Sequence, residues 1–253
     1  MTAEVAQALP QTCYPTVWLW PGEALYAGPS LNLAPHSGSV WCLAVGIDGP
    51  LTVTTPDGTT REGDSVLIPP RLTHQLMCLG RGLVSCYLEP TSVRADASRH
   101  KFGEWSGDVG VGHVDEERLQ FTPIDDERAS HWLDLAAPAA DRRIDPRIAQ
   151  SARRISADPA ATIPARELAA DAGLSESRFL HLFRDELGTS LRRYRQWARL
   201  TRAGTAIAAG DNLTEAAMKA GFASPSHLAD RFKTTFGLSA SQLLATGLRI
   251  RTP

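Results

Sequence analysis

The stretch GFASPSHLADRFKTTFG, residues 221–237, decides the fold of the C-terminal half. A glycine opens it, Ser224 and Pro225 follow, apolar residues then recur at helical spacing, and Gly237 closes it. Serine is a preferred helix N-cap, proline fits the first helical position, and glycine is a common helix stop. The stretch therefore predicts a tight turn that leads into a short helix.

A second copy of the pattern lies earlier in the chain, in ELAADAGLSESRFLHLFRDELG, residues 167–188. If Ala223 is counted as an extra residue in the later copy, Gly173 aligns with Gly221 and Gly188 with Gly237. A repeat indicates one supersecondary unit used twice. Each copy predicts helix, turn, helix, with one apolar core face: Phe179, Leu182, Phe183 and Leu187 in the first, and Leu228, Phe232 and Phe236 in the second.

The opposite faces of the two second helices are polar and available for binding. In a helix-turn-helix unit the second helix enters the DNA major groove. The alternative is a helical bundle with a solvated polar face, but two copies with matched caps and glycines favour helix-turn-helix units.

Between the copies, SLRRYRQWARLTRAGTAIAAG (190–210) predicts a linking helix. Such a helix of about 18 residues spans roughly 27 Å, close to the ~34 Å between successive major grooves on one face of DNA. It carries a stripe of arginines that either contacts phosphates or is only solvated: Arg192, Arg195, Arg199 and Arg202.

The charge is divided between the two halves of the 253-residue chain, whose length predicts two domains. Residues 147–253 hold 16 Lys and Arg against 9 Asp and Glu, a net charge of +7, and residues 1–146 hold 10 against 19, a net charge of −9. This asymmetry favours an acidic half joined to a nucleic-acid-binding half.

The composition argues against a membrane or secreted protein. No apolar run approaches the roughly 18 residues of a membrane span, and MTAEVAQALPQTC has no basic start before its apolar residues, so we do not expect a secretory signal. Cys13, Cys42, Cys78 and Cys86 contain no C-x-x-C pair and are expected to be reduced thiols in a cytoplasmic protein.

Residues 221–243, GFASPSHLADRFKTTFGLSASQL, resemble the signature of the AraC/XylS family of bacterial transcription regulators. The resemblance extends over 147–253, with Leu228 in place of an aromatic residue, Ala240 in place of proline, and Leu244 near an arginine position. It implies two helix-turn-helix units on one linker helix that bind adjacent major-groove segments of a promoter. The DNA-binding residues predicted from this resemblance and from the exposed faces are Ser177, Arg178, Leu180, His181, Arg184, Arg195, Pro225, Ser226, His227, Ala229, Asp230 and Lys233.

The two units are not expected to contribute equally. The second offers no arginine or glutamine at its base-contacting positions, and each good bidentate contact gives about 1–3 kcal/mol of discrimination. We therefore predict that the first unit, through His181, supplies most of the sequence preference. The second would hold the DNA backbone through Lys233 and Ser226.

The N-terminal half predicts β-structure, with Asp57-Gly58 as a hairpin signal. Many short strands with Gly and Pro turns predict a barrel or jelly roll. Gly63, Asp64, Pro69 and His74 resemble the second motif of the cupin family, with Arg71 at its usual glycine, and cupins are the usual sensor domain of AraC-type regulators. The predicted fold is thus a two-domain α+β protein, with an N-terminal cupin-like β-barrel (jelly roll) and a C-terminal all-α domain with two helix-turn-helix units.

The predicted domains are a sensor over 1–98, a linker with a dimerisation helix over 99–146, and the DNA-binding domain over 147–253. Within the linker, ERASHWLDLAA (127–137) has apolar residues at helical spacing. This helix either joins two copies of the chain or packs on the chain's own barrel.

The sensor is expected to hold a small molecule and to lack a catalytic metal. Metal-binding cupins generally need a His-x-His and a carboxylate that LAPHSGSVWCLAVGIDG does not contain, so we predict no cofactor, no metal and no enzymatic activity; the spacing does not argue for a His36/His74/Cys42 site. The predicted effector-binding residues are Trp18, Trp20, His36, Trp41, His74, Met77 and Tyr87. The alternative is that these side chains simply fill the barrel.

The sequence thus predicts a cytoplasmic regulator that binds double-stranded promoter DNA in response to an unknown effector in its cupin domain. RNA polymerase and a second copy of the chain remain candidate partners, and no membrane is expected. The alternatives are control by a partner protein or by oxidation of Cys42, Cys78 or Cys86, and, less favoured, a metal-dependent cupin enzyme.

Overall fold

Strands dominate the first half of the chain and helices the second. A computed structural model describes residues 15–31, 33–139 and 144–253; Cys13 lies outside these ranges. The elements of the first half are β1 (Thr16–Trp20), β2 (Glu23–Gly28), β3 (Trp41–Ile47), β4 (Leu51–Thr54), β5 (Thr60–Gly63), β6 (Ser65–Ile68), β7 (Gln75–Cys78), β8 (Gly82–Leu88), α1 (Arg94–His100), β9 (Phe102–Ser106), β10 (Val109–His113), α2 (Glu116–Leu119) and α3 (Asp126–Ala136).

Two sheets are built from these strands and from a last short strand, β11 (Arg249–Arg251). The large sheet has the order β11-β1-β2-β8-β3-β6-β10-β9, and the small one has the order β5-β4-β7. Strand β3 lies inside the large sheet between β8 and β6, and both of its faces are covered. Its side chains alternate between two cores: Leu43 and Val45 pack towards the helices, and Cys42 and Ala44 pack with residues of the small sheet.

The predicted hairpin is confirmed. β4 and β5 pair in antiparallel register, and Gly58 between them has φ +83°. The Asp57 carboxylate accepts hydrogen bonds from the Thr55 hydroxyl and the Thr59 amide, at 2.6 and 3.1 Å. The turn is thus fixed by its own side chains, as Asp-Gly turns commonly are.

Helix α3 packs on the chain's own large sheet. Ala129, Trp132, Leu133 and Ala136 are all buried in the core that also holds Leu43 and Val45, and the Trp132 indole donates to the Leu119 carbonyl at 3.0 Å. The apolar face that the sequence offered for a dimer is therefore already occupied. Part of the predicted linker is sheet as well, because β9 and β10 extend the large sheet from β6.

The second half consists of seven helices within the described residues. They are α4 (Pro146–Ala157), α5 (Ala165–Asp171), α6 (Glu176–Leu187), α7 (Leu191–Ala208), α8 (Leu213–Lys219), α9 (Pro225–Phe236) and α10 (Ala240–Ala245). Two buried clusters hold them together, one around Phe179 and Phe183 and one around Phe222 and Leu228, and α7 contributes to both. Among the described residues, no helix combines the length and apolar character that crossing a bilayer requires.

The helical half is attached to the sheets through β11 and through the C-terminal end of α9. After α10 the chain returns to the large sheet, where β11 pairs in parallel with β1 and Arg251 forms an ion pair with Asp126 at 2.5 Å. At the C-terminal end of α9, the carbonyls of Thr234 and Gly237 accept from the amides of Ser37 and Ala34, at 3.3 and 3.0 Å.

Helix α7 makes the other connections to the sheet half. Arg193 donates to the Ser37 hydroxyl at 3.1 Å, and the Tyr194 hydroxyl donates to the buried Glu89 carboxylate. The two halves therefore share hydrogen bonds as well as apolar contacts.

Arg71 occupies the position where the cupin-like motif has glycine, and it has φ +75°. A residue with a Cβ pays about 1–2 kcal/mol in this left-handed region, and glycine avoids most of it. We expect Arg71→Gly to stabilise the protein by about 1 kcal/mol, or roughly 3 °C in Tm, measured by thermal unfolding. Arg81→Gly, at an exposed position without positive φ, is the control and should lower Tm; a fall in Tm for Arg71→Gly would contradict the strain argument.

Glu89 should make stability depend on pH, since burial raises the pKa of its carboxyl above the usual value. The folded state holds this proton more tightly than the unfolded state, so the stabilisation is present below the ordinary carboxyl pKa and is lost as pH rises through the raised folded value. Glu89→Gln cannot ionise and still accepts a hydrogen bond from Tyr194. Urea unfolding at about pH 4 and about pH 8 should show that the variant gains stability relative to the natural protein at the higher pH. A stability difference between Glu89→Gln and the natural protein that is the same at both pH values would refute the assignment.

Candidate nucleic-acid interface and interdomain cavity

Helices α5 and α6 form the first predicted helix-turn-helix unit. The turn between them contains Gly173 at φ +66°, and the Leu174 amide donates to the Ala169 carbonyl at 2.9 Å. Ser175 caps α6 by accepting from the Arg178 amide at 3.3 Å, and Gly188 ends the helix at φ +62°. Each feature is the one that the repeat predicted.

Helices α8 and α9 form the second unit with the same turn. Gly221 has φ +77°, and the Phe222 amide donates to the Ala217 carbonyl at 2.9 Å. Ser224 accepts from the His227 amide at 3.1 Å, and Pro225 is the first residue of α9. The chain thus builds one local geometry twice, on either side of α7.

The predicted base-contacting residues lie on the free faces of the two second helices. Ser177, Arg178, Leu180, His181 and Arg184 are exposed on α6. On α9, Pro225, Ser226, Asp230 and Lys233 are exposed and His227 and Ala229 are half-buried. His181 lies 3.2 Å from the Asp185 carboxylate one turn later on the same helix.

The arginines of α7 are divided between two tasks. Arg195 and Arg199 are half-buried and donate to the carbonyls of Ile163 and Pro159, so they fasten the loop between α4 and α5. Burial, followed by the nearby charge of Arg199, lowers the pKa of the Arg195 guanidinium. Arg192 and Arg202 are exposed. The sequence treated the four as one stripe, because spacing alone does not show which of them have protein partners.

A cleft of about 390 Å³ lies between the two helix-turn-helix units, and we call it the interhelix cleft. Its walls include Leu180 of α6 and His227 of α9, so it joins the two binding faces. Four arginines and no acidic side chain line it: Arg192, Arg195, Arg199 and Arg231. Within the described residues the Arg231 Nε atom is buried without a hydrogen-bond partner.

Asp230 is the one acidic side chain among the predicted DNA-binding residues. Here the carboxylate lies 3.3 Å from the guanidinium of Arg231. A carboxylate on a recognition helix accepts a hydrogen bond from the cytosine amino group and repels phosphate. Asp230 therefore places a negative charge on the predicted DNA-binding face of α9.

A second enclosed space, which we call the interdomain cavity, lies between the sheet half and the helical half. Its volume is about 140 Å³. The strand side contributes residues from β1, β2, β3, β7 and β8, and the helical side contributes Trp197 and Leu200 of α7 and Phe232 and Phe236 of α9. Leu248 and Ile250, which follow α10, complete the wall.

Two of the seven predicted effector-binding residues, His36 and Tyr87, line the interdomain cavity. His74 lies beside it, against His36. Trp18 and Trp20 belong to the core under α3 instead, and the Trp18 indole donates to Asp126 at 2.9 Å. Trp41 stacks with Arg99 on another part of the surface, and Met77 is 40% exposed. The period of a strand predicts alternation but not which face will meet another domain, so it could not show that Trp18, Trp20, Trp41 and Met77 lie away from this cavity.

His36 and His74 form a structural pair. Each donates its backbone amide to the other's carbonyl at 2.9 Å, and their rings lie 4.5 Å apart. Because a carbonyl only accepts, their Nδ1 atoms carry the protons donated to Ala34 and Leu72, at 3.0 and 2.9 Å. Burial, followed by the neighbouring His36, lowers the pKa of His74 to about 4. The pair fixes the loop that contacts the end of α9.

The described thiols are free, and burial governs two of them. It raises the pKa of Cys42 to about 12 and that of Cys86 well above its usual value. Such thiols are poor nucleophiles, which weighs against Cys42 and Cys86 as oxidation sensors. Cys78 is half-buried and donates to the Gly82 carbonyl at 2.9 Å.

The sequence analysis assigned Phe232 and Phe236 to the core and gave Trp197 no role. All three lie on the interdomain cavity. The sequence contained part of the signal for this cavity. Phe232 and Phe236 of α9 are the equivalents of Phe183 and Leu187 of α6, which are fully buried. A helix that keeps aromatic residues half-buried has a face to offer to a neighbouring domain.

Comparison with known protein families identifies a domain in the second half of the chain. Residues 168–246 match the family described as a helix-turn-helix domain. No curated protein matches the chain by sequence.

Solved structures match over both halves. Apo ToxT, a variant from Vibrio cholerae strain SCE256, superposes with a TM-score of 0.60 at 12% identity and covers 90% of this chain and 98% of its own. ToxT of Vibrio cholerae O395 bound to (E)-4-(8-methylnaphthalen-1-yl)but-3-enoic acid gives 0.54 at 13% identity, with 92% and 98% coverage. Wild-type ToxT of strain SCE256 with an unsaturated fatty acid gives 0.51 at 12% identity, with 91% and 93% coverage.

At this identity the likeness to ToxT concerns the fold, and it confirms the two-domain α+β architecture with a sheet-rich first half and a helical second half. The family match confirms that residues 168–246 of the second half form a helix-turn-helix domain. Residues 168–246 are therefore a helix-turn-helix domain, and the chain as a whole has a ToxT-like two-domain fold.

Proposed function

We propose that the chain binds double-stranded promoter DNA through α6 and α9 and that a small molecule between its two halves controls this binding. The observation that supports DNA binding most directly is the pair of similar helix-turn-helix units on either side of α7, with the polar faces of α6 and α9 free. Two such helices read adjacent major-groove segments when the linking helix sets their separation. Because the target is promoter DNA, the protein would act in the cytoplasm, with RNA polymerase as a further candidate partner.

The interhelix cleft supports the same proposal. DNA crossing from one recognition helix to the other carries its phosphates past the four arginines of the cleft. Phosphate neutralisation by Lys and Arg supplies most of the salt-sensitive binding energy of such proteins. Arg192 is exposed and free to make this contact, whereas Arg195 and Arg199 position the neighbouring loop and keep the cleft positive.

Control by a small molecule is supported by the position of the interdomain cavity. Phe232 and Phe236 of α9 form part of its wall, while Ser226 and Asp230 of the same helix face outward. A ligand that fits the cavity better in one relative placement of the halves would shift the population of DNA-competent molecules. We accordingly propose that the effector binds at this boundary and not inside the sheet half alone, and that the DNA-binding unit begins near α4.

DNA binding is tested by fluorescence anisotropy with a site selected from genomic fragments, measured across a series of salt concentrations. The slope of log K against log salt should be about −0.9 per phosphate neutralised. Lys233→Ala should reduce the magnitude of that slope by about 1 and weaken binding alike on all sequences. Arg81→Ala removes an exposed positive charge from the sheet half and should leave the slope unchanged; a flat salt response of the natural protein would refute DNA binding.

The division of labour between the units has its own test. His181→Ala should relax the base preference at one position of the selected site, at a cost of about 1–3 kcal/mol on the preferred base. Ser226→Ala should weaken binding without changing the preferred sequence, since its hydroxyl is assigned to the backbone. Selection from a randomised library with each variant reads out both effects, and an unchanged preference for His181→Ala would contradict the proposal.

A further inference from the structure

The interdomain cavity has a wall without charge. Among the residues that the structure describes, none that lines it is Lys, Arg, Asp or Glu, although both halves of the chain and the segment after α10 contribute to it. Arg193 of α7 is absent from the wall and donates to the Ser37 hydroxyl and the Gly38 carbonyl. A charged ligand would therefore lose its hydration here without gaining a partner of opposite sign, which is a large cost in a protein interior.

Most polar groups of the wall already have protein partners. The Tyr26 hydroxyl donates to Pro29 O at 2.7 Å, the Thr201 hydroxyl to Trp197 O at 3.1 Å, and the Cys78 thiol to Gly82 O at 2.9 Å. What faces the cavity is mainly aliphatic and aromatic surface from Leu, Val, Phe and Trp side chains. Apolar cavities of this kind bind molecules that need no hydrogen bonds of their own.

Burial shifts the pKa values of four groups on the wall, Tyr26, His36, Cys42 and Tyr87, in the direction that favours the uncharged form. Burial raises the pKa values of Tyr26 and Tyr87 and raises that of Cys42 to about 12. Burial also lowers the pKa of His36. The absence of charge is thus a property of the folded wall as well as of its residue types.

The volume limits the size of the occupant. About 140 Å³ is close to the ~150 Å³ of an engineered apolar cavity that takes up benzene. One ring with a small substituent fits this volume.

We propose that the interdomain cavity binds a small, neutral, apolar molecule of about one ring and discriminates against carboxylates. This names the chemical class of the effector and rests on the proposed function above. It differs from the acids named with the ToxT structures, an unsaturated fatty acid and a butenoic acid, because no cation lines the wall within the described part of the chain.

The test uses three probes of similar size on the full chain: toluene, benzoate and benzylamine. Toluene should raise Tm saturably and should give intermolecular NOEs to the Trp197 indole and the Phe236 ring. Benzoate and protonated benzylamine should bind at least about 100-fold more weakly, since burial of an unpaired charge costs several kcal/mol. No toluene binding, NOEs only to residues outside the cavity, or benzoate binding as tightly as toluene would each overturn the proposal.

Gly204→Leu provides the matched variant. Gly204 lies on the cavity within α7, and a Cβ there would meet only the flexible end of Leu19, at 3.0 Å. The leucine should fill the space, so toluene binding should be lost. Ala209→Leu adds the same kind of side chain at the exposed C-cap of α7 and should leave toluene binding intact. If Gly204→Leu does not fold, Gly204→Ala should weaken toluene binding several-fold; unchanged affinity in whichever variant folds would overturn the assignment.

DNA affinity without any probe is measured on the same preparations. Salt-dependent DNA binding together with no toluene binding would remove the proposed ligand class alone. Toluene binding with the expected selectivity and no DNA binding would remove the proposed function and leave the cavity assignment in place.

Discussion

The structure depends on one helix, α7, that is packed on several sides at once. Tyr194 and Ala198 enter the core of the first helix-turn-helix unit, Leu200 and Ala203 enter that of the second, and Trp197 contacts the sheet half. Because a helix does not bend easily, the separation of α6 and α9 follows from these packing faces. The same rigidity links the sheets to the DNA-binding faces, since a shift of Trp197 displaces both cores.

The parts of the fold that depend on local chemistry were predictable from the sequence. Each of these features follows from φ angles and hydrogen bonds within a few residues. They are the helix caps at Ser175 and Ser224, the turns at Gly173 and Gly221, and the hairpin at Asp57-Gly58. Arg71 shows the limit of such reasoning. The cupin-like motif needs a residue with positive φ at this position. Arginine adopts that conformation here, although rules for turn residues would select glycine.

The parts that depend on which surfaces meet were not predictable. The periodicity of α3 correctly gave its apolar face, but it could not say whether a second copy or the chain's own sheet covers it. Trp18 and Trp20 lie on one face of a strand as expected, and that face packs in the core beneath α3. The proposed effector cavity is lined jointly by both halves, and Phe232 and Phe236 on its wall belong to the half that was predicted to bind DNA.

The parallel pairing of β11 with β1 also bears on solubility. β1 would otherwise be an outer strand with unpaired amides and carbonyls, a template for pairing with other chains. The last residues of the helical half cover it, so the sheet half is protected from aggregation by the domain that it is proposed to control. A sheet domain expressed alone would present that open edge, and purification of the isolated sensor calls for a sequence that retains or replaces this strand.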